Sequence, residues 1–184
     1  KNFLGLEKKK FLINNRKEQQ MSWEEFVAKA KLIEAEFTKN LTDVVKSTKQ
    51  QDMLEHWDVE GVLEGTRMKI DIKDVKKFNR KDMEPQDEMA CVEYVGVKGY
   101  PGWVQGKADA IAFKRNKYKW LVVNRKELWD MVKAKLEERD YSATTLDWRE
   151  KEPYATYDRS FFGKQDKFCW VPFEDIEKLT HTKI

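Results

Sequence analysis

Residues 67–73 read Arg-Met-Lys-Ile-Asp-Ile-Lys, and this run constrains the chain more than any other. Apolar Met68, Ile70 and Ile72 alternate with charged Lys69, Asp71 and Lys73, the period of a strand with one face on a core. A second run, Trp57–Leu63, precedes it across Glu64-Gly65. Two strand-like runs joined by two residues predict an antiparallel hairpin. With Glu64 and Gly65 as the turn, Asp58 falls directly opposite Asp71, their Cβ atoms about 4.5–5.5 Å apart. A three-residue turn with a bulge would shift that register.

Opposed like charges destabilise a ladder unless something compensates. A divalent cation does so, because carboxylate oxygens are the ligands that Mg²⁺ prefers. Lys73 projects from the same face as Asp71, where an ammonium stabilises charge on a phosphorane-like transition state or orients an attacking water. Two acids and a lysine so placed suit metal-assisted phosphodiester hydrolysis. An acidic-x-Lys tripeptide alone says little, since Glu7–Lys9 and Asp74–Lys76 repeat it. The strand alternation and the hairpin partner single out Asp71–Lys73.

Around the hairpin, the pattern predicts a mixed α/β domain. Ser22 and Glu25 form a capping box, and Phe26, Ala30, Ile33, Phe37, Leu41 and Val44 mark one face of a helix running to about Val45. Ser47–Glu55 reads as a polar linker. Cys91–Val97, Trp103–Gln105, Ala108–Phe113 and Lys119–Val123 read as strands. Leu128, Val132 and Leu136 mark a second helix, Phe168–Val171 a strand and Pro172–Leu179 a last short helix.

The totals set bounds. The 184 residues suit one domain, expected over 21–184, with 1–20 a basic leader or arm. Those first twenty residues hold six Lys/Arg against two Glu, so the rest of the chain is about neutral and its net charge of +3 proves no nucleic-acid partner. Local clusters remain as footprints: Arg67–Lys81 beside the proposed site and Lys114–Lys126 further on. Tyr100 and Trp103 flank Pro101-Gly102, either stacking on bases or packing under their own loop. Cys91 and Cys169 have no metal spacing and read as two buried thiols rather than a disulfide. With no long apolar run and no signal peptide, the expectation is a cytoplasmic protein without a membrane partner.

The segments His56-Trp57-Asp58-Val59 and Lys69-Ile70-Asp71-Ile72-Lys73 together resemble the signature of the PD-(D/E)XK nuclease superfamily. This restriction-endonuclease-like group includes Holliday-junction resolvases and many phage nucleases. On the preceding helix, Glu34-Ala35-Glu36-Phe37 is similar to the resolvase pattern, with Glu34 the better match and Glu36 the reserve. The Gly99–Asp109 stretch is also similar to phage-encoded members, and the resemblance spans roughly residues 23 to 136. Trp57 stands where the family has proline, and Asp71 where glutamate is common. The resemblance implies a three-layer α/β/α domain with a central mixed β-sheet. It also implies Asp58 and Asp71 holding Mg²⁺ or Mn²⁺ with the Ile72 carbonyl, Glu34 ligating through water, and Lys73 assisting the nucleophile. DNA is the partner it implies, with a homodimer left open.

Overall fold

The computed structural model describes residues 23–76, 86–139, 152–158 and 165–184. Expectations for the N-terminal arm, for Ser22 and for Lys77–Lys81 lie outside these residues. A helix, α1 (Trp23–Thr38), leads into strand β1 (Thr42–Lys46) and a short helix α2 (Lys49–Glu55). The hairpin follows as β2 (Val59–Leu63) and β3 (Thr66–Lys73). Then come β4 (Met89–Val95), a 3₁₀ turn (Trp103–Gln105), β5 (Ala110–Lys114), β6 (Trp120–Asn124) and α3 (Arg125–Glu138). The chain closes with β7 (Tyr157–Asp158), β8 (Lys167–Pro172), the single turn α4 (Phe173–Ile176) and β9 (His181–Lys183).

Six strands form one mixed sheet in the order β1-β2-β3-β5-β6-β9, and β4, β8 and β7 form a second, smaller one. Only β3 and β5 run parallel in the larger sheet, Asp71 lying beside Ile111. The hairpin register is the predicted one, from Leu63↔Thr66 to Val59↔Ile70. Glu64 and Gly65 both take positive φ, 49° and 82°, as a two-residue turn of the type that continues strand twist requires.

Both faces of the larger sheet are covered, so β5 and β6 read as continuous apolar runs. Ala110, Ala112, Trp120 and Val122 meet Ile33 and Phe37 of α1, where Phe37 and Trp120 pack edge to face at 4.9 Å. Ile111, Phe113, Leu121 and Val123 point the other way, towards Leu128, Val132 and Leu136 of α3 and towards Val92 and Val171 of the second sheet. Cys169 packs in that second cluster. Cys91 joins the third cluster, around Trp170, on the opposite face of the small sheet. No disulfide joins them, and only Cys169 is fully buried, Cys91 being partly exposed rather than the buried thiol expected.

Three local expectations fail for physical reasons. The first helix stops at Thr38, not Val45: Asn40 turns its side chain and its backbone N–H onto the Phe37 carbonyl. The β-branched run Thr42–Val45 then pairs with β2. The polar linker contains α2, whose Thr48-x-x-Gln51 capping box is fully formed. Trp103–Gln105 is a 3₁₀ turn rather than a strand.

The Lys114–Lys126 cluster is largely consumed by the fold. Arg115 is buried, its Nε 2.7 Å from Asp87 Oδ1 and its guanidinium 3.5 Å from the centre of the Phe173 ring. Arg125 donates to the carbonyls of Ala108 and Val104. Lys114 pairs with Glu36 and Lys126 with Asp130. Arg115→Met should therefore lower stability by about 2–3 kcal/mol in urea unfolding, because the partly buried Asp87 loses its counter-charge. Arg115→Lys should recover little of it, lacking the planar fork. A loss under about 0.5 kcal/mol, the scale of an ordinary surface substitution, would make Arg115 a surface cation after all.

Candidate active site

Helix α2 ends at His56, whose left-handed φ of 54° reverses the chain towards β2. Trp57 is buried there, and its indole N–H donates to Glu55 at 2.9 Å. Asp58 sits one residue before β2, held by its own N–H to the Ile70 carbonyl (2.9 Å) and by the Ser47 N–H to its carbonyl (2.9 Å). The register would set Asp58 opposite Asp71. Its carboxylate instead takes the Ile72 N–H, at 2.6 Å, in the role of a ladder acceptor. The Ile72 carbonyl leaves the strand on the same edge as that N–H, so it faces the Asp58 side.

Asp71 is only 3% exposed. Lys73 Nζ lies 2.8 Å from its Oδ2, an ion pair at poor hydrogen-bonding angles. Burial pushes the Asp71 carboxyl up to about 8; Lys73 pulls the other way and Asp58 adds to the rise. Burial also opposes the charge on Lys73, but the Asp71 and Asp58 carboxylates outweigh it and hold the amine above its usual value. Lys69 and Lys73 share the face of Asp71, each with its Nζ 4.8 Å from an indole centre, over Trp57 and Trp103 respectively.

The two glutamates of α1 part company. Glu36 pairs with Lys114 at 2.6 Å, and that hydrogen bond lowers its proton affinity. Glu34 is instead raised, by burial first and by the charge of Asp58 second. Glu34 therefore lies within electrostatic reach of Asp58, whereas Glu36 is engaged with Lys114.

A further acid escapes sequence reading. Asp52, on α2, is raised by burial and then by Asp58, while Lys73 lowers it. The signal was present: the Thr48 capping box predicts a helix that carries Asp52. Glu34 and Asp52, from two helices, thus both feel the charge of Asp58, as Asp71 does.

No family model, curated protein or solved structure matches this chain. The geometry has to carry the reading of the site.

Among the described residues, no three His, Cys, Asp or Glu side chains already stand in metal-ligating geometry. The chemistry of the donors nonetheless suits a hard divalent cation: carboxylates, a strand carbonyl edge, and the buried Asp71 carboxyl, opposed by one lysine. A cation bound there would compete with the proton that burial favours on Asp71. Affinity for Mg²⁺, measured by calorimetry, should hence fall about tenfold per pH unit below about 8 and level off above it. Asp71→Asn should abolish that binding and leave the metal-free melting temperature equal or higher, since a buried ionisable group is removed. A pH-independent affinity, or an unfolded Asp71→Asn with metal affinity intact, would show that Asp71 serves structure alone.

Proposed function

We propose that this chain is a metal-dependent nuclease that hydrolyses phosphodiester bonds in DNA. The carrying observation is Asp71: a nearly inaccessible carboxyl, pushed up to about 8 by its burial, flanked by Asp58 and by the Lys73 ammonium at 2.8 Å. A restriction-endonuclease-like, three-layer α/β/α core accompanies this reading. Its support is the β2–β3 hairpin, the parallel neighbour β5, and helices α1 and α3 on opposite faces of the sheet. The small second sheet shares the α3 face as an addition to that plan.

Asp58, Asp71, the Ile72 carbonyl and Glu34 would hold Mg²⁺ or Mn²⁺, which when bound acidifies a water and neutralises phosphoryl charge. The Asp58 carboxylate is oriented by the Ile72 N–H, so its lone pairs are fixed before any ligand arrives. Lys73 orients the attacking water and stabilises the negative charge that builds on the phosphoryl oxygens. Its raised proton affinity keeps it cationic at neutral pH, which suits charge stabilisation better than proton abstraction.

Cleavage of supercoiled, linear and branched DNA, with RNA alongside, tests the reading across Mg²⁺ and Mn²⁺ titrations. Lys73→Ala should keep metal and most DNA affinity but lose about 10²–10³ in turnover, because its contribution falls on charge developing in the transition state. If wild-type protein leaves every substrate intact while still binding DNA, the chain is a non-catalytic nucleic-acid-binding protein on this scaffold. Preferential cleavage of RNA would keep the chemistry and change the substrate.

A further inference from the structure

Lysine carries its charge on a flexible four-carbon stem, so an ammonium that acts on one phosphoryl group needs a seat. Lys73 has two. One is Asp71 Oδ2 at 2.8 Å; the other is the face of Trp103, its ring centre 4.8 Å from Nζ. They differ in kind. Under the nuclease reading the carboxylate is the group that a divalent cation claims, whereas an indole face takes ammonium and leaves a hydrated Mg²⁺ to the oxygens.

The indole is itself fixed. Trp103 is 8% exposed and packs edge-on against Phe113 at 6.2 Å. It opens a 3₁₀ turn bounded by Gly102 and Gly106. Gly102 presses so closely on β4 that a Cβ there would meet the Glu93 carbonyl oxygen at 2.4 Å, and its N–H donates to the Tyr94 carbonyl at 3.0 Å. A Cβ on Gly106 would meet the Cβ of His56 at 2.6 Å. Both ends of the turn are thus clamped by close backbone contact, one on β4 and one beside the residues leading to Asp58. The ring is positioned by backbone contacts rather than by the lysine it carries.

We propose that Trp103 is a positioning residue of the site, holding the Lys73 ammonium over its indole face so that the amine stays in place when Asp71 is given over to a cation. The inference rests on the nuclease reading for its consequence in turnover, but the seat itself is measurable without any activity. Lys69, over Trp57 at the same 4.8 Å, is an internal comparator.

The experiment is heteronuclear NMR of metal-free and Mg²⁺-loaded protein labelled with ¹³C in lysine, with Lys73 and Lys69 assigned through Lys→Arg variants. Ring currents should displace the εCH₂ signals of both lysines upfield in the wild type. The Lys73 displacement should persist with Mg²⁺, survive in Trp103→Phe and vanish in Trp103→Leu, while Lys69 stays displaced in all three. In cleavage assays Trp103→Leu should lose at least about tenfold in kcat, with KM for DNA and affinity for Mg²⁺ changed by less than about threefold, and Trp103→Phe should keep most of the rate. A Lys73 signal at the position of a free lysine in the wild type, its return there on adding Mg²⁺, or full kcat in a folded Trp103→Leu overturns the proposal. Should Trp103→Leu fail to fold, which the Lys69 signal reports, the wild-type spectra and Trp103→Phe still decide. A displaced Lys73 signal in a protein that cleaves nothing sinks the nuclease reading and leaves the seat standing.

Discussion

A carboxyl buried in the middle of a sheet is the constraint around which the rest of this structure is arranged. Asp71 occupies a strand whose two faces are both covered, by α1 on one side and by Trp57, Trp103 and their neighbours on the other. Burying a carboxylate without full pairing is costly enough that the group normally takes up a proton instead. The surroundings relieve that cost only in part: the Lys73 ammonium pairs with Asp71, while a further carboxylate, Asp58, adds to the rise. An uncharged residue of similar size would pack there without this conflict. The conflict is therefore better explained by function than by stability.

The distribution of the cations follows the same logic. Several basic residues away from the Asp71 face are spent on structure: Arg115 in an ion pair under Phe173, Arg125 on two carbonyls, Lys114 on Glu36. The lysines on the Asp71 face are held differently, with indoles beneath them. A ring face attracts an ammonium without taking up its charge as a carboxylate does. Lys73 adds the Asp71 carboxylate to its indole, at 2.8 Å.

Sequence alone carried the hairpin, because strand period, turn length and register are local properties. Glu64-Gly65 fixed which residues face each other, and the structure keeps that register through five pairs. It could not show that Asp58 would leave the ladder and offer its side chain to Ile72, since that depends on how α2 delivers the chain into β2. Leu41 and Val44 continued the helical stripe by spacing, while β-branching and an available partner strand decided otherwise. Glu34 and Glu36 were likewise inseparable by spacing alone. Their neighbours, Asp58 for one and Lys114 for the other, come from distant parts of the chain. Trp57, read as a departure from a proline pattern, turns out to support Lys69 and to cover the face that Asp71 occupies.

The acids also explain why one observation outweighs the others. Glu34, Asp52 and Asp71 arrive on three separate elements, and in each the proton is held more tightly than usual, with Asp58 among the causes. Any one of them would be unremarkable as a partly buried carboxyl. Asp58 is common to all three, so its charge raises the cost of ionising each of them. A fold under selection for stability alone would disperse such groups or pair each with its own cation, as it does with Glu36, Asp87 and Glu177 elsewhere in the molecule. Here the acids are left to share one lysine, Lys73, and burial together with Asp58 raises their hold on protons instead.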